Sequence, residues 1–260
     1  MNIQQYYRLA ANTSLNGSLA ALIPVVVLII PNFFLFPKKE WVLLSVPFLF
    51  YSFLSYQVYL INQERFSRSK VNSGEKQVVH PLEESQLLLT FLPAPSLRLL
   101  FFCSNGQACG EIKDSYFTKL RWLLPYFLDK MLPAEYRLVD GGQYLLATIR
   151  WRKHRAIVKD EHGQGMMTIM AKDNRRFHVI TENSSHSIHV KTETLHTDIQ
   201  FLDENQHVLA RVRKGWMPLE WGRSFVDANT PIFSLDENLA REERLAIVAI
   251  LAKFYRYYNH

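Results

Sequence analysis

Cysteine is scarce: Cys103 and Cys109 are the two in 260 residues. A fold stapled by disulfides needs more of them, and so few thiols fit a reducing compartment. Phosphate-binding glycine loops are missing too. Gly163-Gln164-Gly165 lacks a third glycine and a following helix, so it reads as a turn. No nucleophile-elbow serine, EF-hand loop or HExxH run occurs. The Asp and Glu residues fall mostly in expected turns, where they solvate loops. No pair of acids or Cys/His set is nominated for catalysis, and the chain is expected to be non-enzymatic, with no cofactor.

A large charge surplus is missing from most of the chain as well. The net charge is +6, from 30 basic and 24 acidic residues. Residues 1–76 hold seven of the basic ones (Arg8, Lys38, Lys39, Arg65, Arg68, Lys70, Lys76) and three acidic ones (Glu40, Glu64, Glu75). That leaves 23 basic and 21 acidic residues for 77–260, a surplus of two. A nucleic-acid binder would need a stronger excess there.

Two stretches lack charge altogether. None occurs between Arg8 and Lys38. The apolar core of that stretch, residues 15–36, would be about 33 Å long as a helix, enough to cross a hydrocarbon layer of about 30 Å. Pro24 and Pro31 lie inside it, which membrane spans tolerate. The second stretch, residues 41–61, carries Trp41, Tyr56 and Tyr59 toward its ends, as interfacial belts do. A signal peptide with one anchor would show a stronger basic n-region and a shorter core. Two buried core helices would rarely run so long without charge. Pro37-Lys38-Lys39-Glu40 is too short a connection for anything but an antiparallel hairpin.

The expected organisation is an N-terminal segment 1–14, a transmembrane hairpin 15–61, a polar linker 62–86 and a larger domain 87–260. Arg8, Arg65, Arg68, Lys70 and Lys76 flank the side of the chain ends. The positive-inside rule then puts the large domain in the cytoplasm, at the plasma membrane. The linker's basic residues either set topology or touch anionic headgroups, at about 1 kcal/mol each.

Beyond the linker, short apolar runs alternate with turn signals. Ser104-Asn105-Gly106-Gln107, Asp140-Gly141-Gly142, Asp160-Glu161-His162-Gly163 and Asp203-Glu204-Asn205-Gln206 each separate two strand-like runs. Regular spacing of this kind predicts a barrel or sandwich. A helix is predicted near residues 119–131. The period changes after Ser234-Leu235-Asp236-Glu237, which reads as a capping box. Leu245 to Ala252 are then apolar without a break, so the helix is expected to be buried all round and is too short to span a membrane. An apolar tunnel inside a closed sheet would suit it.

Thr230-Pro-Ile-Phe-Ser-Leu-Asp-Glu-Asn-Leu239, followed by Ala246-Ile-Val-Ala-Ile-Leu-Ala-Lys-Phe-Tyr255, resembles the ending of small bacterial members of the Tubby C-terminal-like superfamily. That group includes the LURP-one-related proteins and phospholipid scramblases. The resemblance covers roughly residues 90–260. It implies a mainly-β fold, a closed barrel of about twelve strands around a buried C-terminal apolar helix. Some eukaryotic relatives bind phosphoinositide headgroups through basic residues on the barrel; no position-by-position match to such a pocket occurs here.

The candidate lipid- or phosphate-binding residues are Arg150, Arg152, Lys153 and Arg155, in the run Arg150-Trp151-Arg152-Lys153-His154-Arg155. Read as one strand, Arg150, Arg152 and His154 share a face, and Trp151, Lys153 and Arg155 the other. Arginine forks suit phosphate, and a nearby Trp suits a membrane interface. The plainer reading is a solvated strand end and turn that keeps an edge from aggregating. Arg211, Arg213 and Lys214 form a second group. His186, His189 and His196 lie close in sequence, but His186 and His189 fall on opposite faces of a strand, so exposed strand histidines are expected and no metal site. Cys103 and Cys109 could face each other across a hairpin, and free thiols are the expectation for a cytoplasmic domain. The chain therefore reads as a membrane-anchored module contacting anionic lipid or a partner at the cytoplasmic surface. The alternative is a structural or interaction subunit of a membrane complex, acting through its transmembrane hairpin.

Overall fold

The computed structural model describes residues 1–34, 39–70, 80–94, 96–115, 134–182, 184–193 and 197–258. The helix expected near 119–131, the hairpin's short connection apart from its helical Lys39 and Glu40, and His196 lie outside the described residues. The chain divides into two compact units, Ile3–Lys70 and Met1–Asn2 with Val71–His260.

The smaller unit is a helical pair, α1 (Ile3–Phe34) and α2 (Lys39–Arg68). Both are long and apolar enough to cross a membrane. Each extends beyond its uncharged core. Residues 3–14, expected as a separate segment, are the start of α1, and residues 62–68, expected as linker, are the end of α2. Gln, Arg and Glu are good helix formers, and Glu64 pairs with Arg68 one turn on, at 2.6 Å. Inside the pair, the Ser52 hydroxyl lies 3.0 Å from both the Ser18 hydroxyl and the Ser18 carbonyl. Many of the apolar side chains turn outward: Leu43 is 73% exposed and Ile23 64%, which suits a helix facing lipid.

The larger unit is a closed barrel of twelve strands. The first six are β1 (Gln86–Phe91), β2 (Arg98–Phe102), β3 (Ala108–Asp114), β4 (Ala134–Asp140), β5 (Leu145–Arg152) and β6 (Arg155–Lys159). The rest are β7 (Gly165–Ala171), β8 (Arg176–Thr181), β9 (Ser185–Thr192), β10 (Asp198–Leu202), β11 (Val208–Arg213) and β12 (Ile232–Leu235). Every strand pairs antiparallel with its sequence neighbour, and β1 closes on β12 with Leu87 opposite Phe233. Asn2 adds an isolated bridge to Gln107.

The strands follow their alternation. In β6, Arg155, Ile157 and Lys159 are exposed while Ala156 and Val158 are buried, as a half-buried sheet demands. The expected turns form through one repeated device. The Asp140 Oδ1 accepts the N–H groups of Gly142 and Tyr144, both at 2.8 Å. Asp160 does the same for His162 and Gln164, and Asp203 for His207. Gly163 takes φ +80°, where other residues strain.

Alternating strand direction sorts the turns onto two rims. The turns β2–β3, β4–β5, β6–β7, β8–β9 and β10–β11 share one rim with the link after β12. Among their described residues are Asp160, Glu161, Glu182, Asp203, Glu204, Asp236 and Glu237, and no Lys or Arg. The β5–β6, β7–β8, β9–β10 and β11–β12 connections sit at the other rim, where Lys153, Lys172, Arg175, Lys214 and Arg223 are mixed with Asp173, Glu193, Glu220 and Asp227.

The C-terminal helix, α3 (Arg241–Tyr258), starts later than the expected capping box. Ser234 belongs to β12, opposite Gln86 and Arg211. Asp236 accepts the Asn238 N–H in a turn. The helix start is Ala240, whose N–H donates to the Glu243 carboxylate at 3.0 Å, so the acid three residues on does the capping. Arg244 then binds five carbonyls: Leu239, Leu82, Glu84, Asp236 and Glu237. Leu245 to Ala252 are each at most 2% exposed. They form one apolar cluster with Phe101, Ile149, Ile169, Val179, Phe201 and Phe233 of the strands. Each such Leu, Ile or Val contributes about 1.5–3 kcal/mol by burial.

Candidate functional site

The basic run 150–155 is two strand ends and a turn, as the plainer reading has it, and not the one strand that would put Arg150, Arg152 and His154 on a single face. Lys153 and His154 make the β5–β6 turn, with Lys153 at φ +49°. A tight turn reverses the chain, so Arg152 faces Arg155 directly across the hairpin. Arg150 therefore parts from the other three candidates. Arg150 is held by Glu135, its Nε 2.6 Å from Oε2. Arg155 donates to the Thr168 hydroxyl at 3.4 Å. Arg152, Lys153 and Arg155 crowd the exposed tip. Like charges across a pair repel, which a polyanion would relieve.

Trp151 points inward instead of toward an interface. It is 5% exposed, and its indole N–H donates to the Ala249 carbonyl at 3.2 Å. Above its ring lies Lys253, with Nζ 4.5 Å from the Trp151 centroid and 5.3 Å from that of Phe177. Burial lowers the Lys253 pKa from its ordinary value. The sequence signal for this residue was its place as the one charge in the run Leu245–Tyr255.

The second basic group also divides. Arg211 forks onto Asp198, its Nε 2.8 and 3.0 Å from the two carboxylate oxygens. That contact holds the Asp198 carboxyl below its usual range and the guanidinium above its own. The Arg213 guanidinium stacks 4.8 Å over the Trp216 ring. Lys214 is exposed.

A groove of about 570 Å³, which sequence reasoning missed, lies on the outer wall beside the β7–β8 turn. Arg175, Arg176, His189 and Lys191 line it. Asp173 lies there too, paired with Arg176 at 2.7 Å. The Arg175 N–H and the Arg176 side chain bring its carboxyl to about 2, so it is a fixed anion. The groove's remaining cations suit a small anion. Its residues come from three strands and two turns, which is why linear spacing did not reveal it.

At the acidic rim, a second cavity of about 550 Å³ is lined by Asp160, Glu182, His186, Glu242 and Glu243 among others. His186 shares the inward face of Ile188 and Val190, and its Nε2 is buried without a hydrogen bond. His189 takes the opposite face, as the spacing predicts, and both rings are half-buried, not exposed. Among the described residues no His, Cys, Asp or Glu group could hold a metal ion. Cys103 and Cys109 are free and buried. The neighbouring Cys103 thiol and burial push the Cys109 thiol well up, which leaves it a poor nucleophile.

No family model matches this chain. No curated protein matches it. Among solved structures, the X-ray structure of a protein from Arabidopsis thaliana is similar at 15% identity and a TM-score of 0.43, covering 70% of this chain and 100% of that one.

Proposed function

We propose that the protein is a non-enzymatic β-barrel module, anchored in the plasma membrane by α1 and α2, that contacts anionic phospholipid at the cytoplasmic surface. The observation that carries this is the pairing of a cationic hairpin tip, Arg152, Lys153 and Arg155, with a helical pair long and apolar enough to span a bilayer. Anchoring keeps headgroups at high local concentration. Each added cation near an anionic surface contributes about 1 kcal/mol, so a small cluster suffices where a soluble protein would need more. The barrel is read as Tubby C-terminal-like, closed around α3, whose residues from Leu245 to Ala252 share the strands' core.

The full chain, reconstituted into liposomes, tests the reading by lysine footprinting. Lys153 should be protected from acylation in bilayers containing phosphatidylglycerol and open in phosphatidylcholine alone. Equal acylation in both would sink the lipid reading. Protease treatment of intact and lysed cells tests orientation: the barrel should survive until lysis.

A further inference from the structure

We infer that the β11–β12 connection is a bilayer-docking loop, which places Trp216 and Leu219 in the interface of an anionic membrane while Arg213, Lys214 and Arg223 beside them meet the headgroups. This rests on the lipid reading above and names the segment that makes the apolar contact.

Leu219 is 97% exposed and Trp216 67%. Met217 and Trp221 beside them are half-buried. Single exposed apolar residues are common, but this crest is built and held. Gly215, at φ +75°, turns the chain out of β11. Residues Leu219–Arg223 form a 3-10 turn, in which the Trp221 N–H donates to the Pro218 carbonyl at 3.0 Å. The Phe225 N–H donates to the Trp221 carbonyl at 2.9 Å. Phe225 itself is fully buried, edge-on to Phe102 at 6.0 Å. The base is thus fixed in the barrel wall, and the crest is presented without further ordering cost on binding.

The surroundings select the occupant. Arg213 lies 4.8 Å over the Trp216 ring. Lys214 and Arg223 flank the crest, against one acid, Glu220, within it. The Lys214 N–H donates to the Thr197 carbonyl at 2.9 Å, which ties the loop to the β9–β10 connection. Next along that rim come Arg175 and Lys172, then the β5–β6 tip. An indole and an aliphatic tip beside Arg213, Lys214 and Arg223 match an anionic interface, where Trp prefers to sit. A protruding crest also needs no complementary pocket, and a deformable bilayer supplies none. The chain's own apolar helices keep such a surface at hand.

The test uses the full chain with Leu219→Cys carrying an environment-sensitive NBD label; Cys103 and Cys109 are buried and do not compete. The protein is reconstituted in phosphatidylcholine alone or mixed with phosphatidylglycerol, and anionic vesicles are added to the neutral preparation as a further arm. Emission should shift to the blue with anionic lipid. A shift within the anionic proteoliposomes assigns the anchoring bilayer, and a shift on adding vesicles assigns an apposed one. Trp216→Ser in the labelled protein should weaken the response about tenfold or more in lipid titration. A label that stays in water in every arm, while Lys153 remains protected, overturns the loop assignment and spares the lipid reading. Loss of Lys153 protection as well removes the lipid reading itself. A shift in native membranes but in no pure-lipid arm assigns the loop to a protein partner and also overturns the proposal.

Discussion

Trp151→Leu and Lys253→Met, made singly and together, measure the contact between a buried ammonium and the ring beneath it. Lys253 is 8% exposed and Trp151 5%, so the interaction belongs at the desolvated end of the cation–π range, about 2 kcal/mol. Trp151→Leu also loses the bond to Ala249 and part of the core volume, for a cost of about 3 kcal/mol. Lys253→Met keeps the aliphatic stem and removes a buried charge, which is neutral to stabilising by about 1–4 kcal/mol. Lys253→Met should therefore help more in the Trp151→Leu background, by about 2 kcal/mol. The reporter is urea unfolding of the full chain in detergent, followed by labelling of Cys103 and Cys109. Both are buried and no other thiol exists, so labelling reads the opening of the barrel alone. The pH dependence has a definite sign. Burial lowers the folded pKa of Lys253 from 10.5, so the unfolded chain holds the proton more tightly. The charge's unfavourable contribution is full below the folded pKa and fades as pH rises toward 10.5. The advantage of Lys253→Met should shrink across that window, and the coupling with it. A coupling below about 0.3 kcal/mol at neutral pH would mean that the ammonium escapes to water, and the packing argument would fall.

Three further outcomes follow from the same structure. Arg244→Met should cost about 3 kcal/mol or more by leaving five carbonyls short of a donor, and Arg244→Lys should recover only part, since one ammonium lacks the guanidinium's reach; the thiol-labelling titration reads both. Arg211→Gln should cost about 1–2 kcal/mol at neutral pH. Because Arg211 depresses the Asp198 pKa below 3.8, that difference should hold above pH 3.8 and vanish as pH falls through the folded value. Cys103 and Cys109 should resist alkylation in the native protein even at mildly alkaline pH, and react together once the barrel opens.

The barrel was readable because its signals are local. An Asp or Asn-Gly at the right place makes its own turn, so the hairpins around residues 105, 141, 161 and 204 announced themselves. The uncharged runs set the two apolar helices in the same way. Helix ends were misread where a local motif had a competitor: Ser234 fits a cap, but the pairing of Ser234 with Gln86 and Arg211 keeps it in a strand. The shared face assigned to Arg150, Arg152 and His154 failed because nothing in Lys153-His154 marks how tight the turn is; pairing across the sheet puts φ +49° on Lys153 and sets Arg152 against Arg155. The groove at Arg175 and Lys191, and the clamp of Arg244 on Leu82 and Glu84, join residues distant in sequence, where spacing carries no information.

Closure of β1 on β12 also dictates a timetable. During synthesis at about 5–20 residues per second, the roughly 170 residues from Gln86 to Tyr258 take about 10–35 s to emerge. Hairpins from β2 to β11 can zip as they appear, but the seam waits for β12, and the apolar side chains of α3 that share the strands' core follow every strand. For that interval the nascent sheet has two bare edges and an open greasy interior. The acid-rich turns along one rim would keep such a half-built cylinder dispersed, by mutual repulsion between copies. Slowing translation just before Ile232 should therefore lower the yield of sealed barrels more than slowing it anywhere earlier.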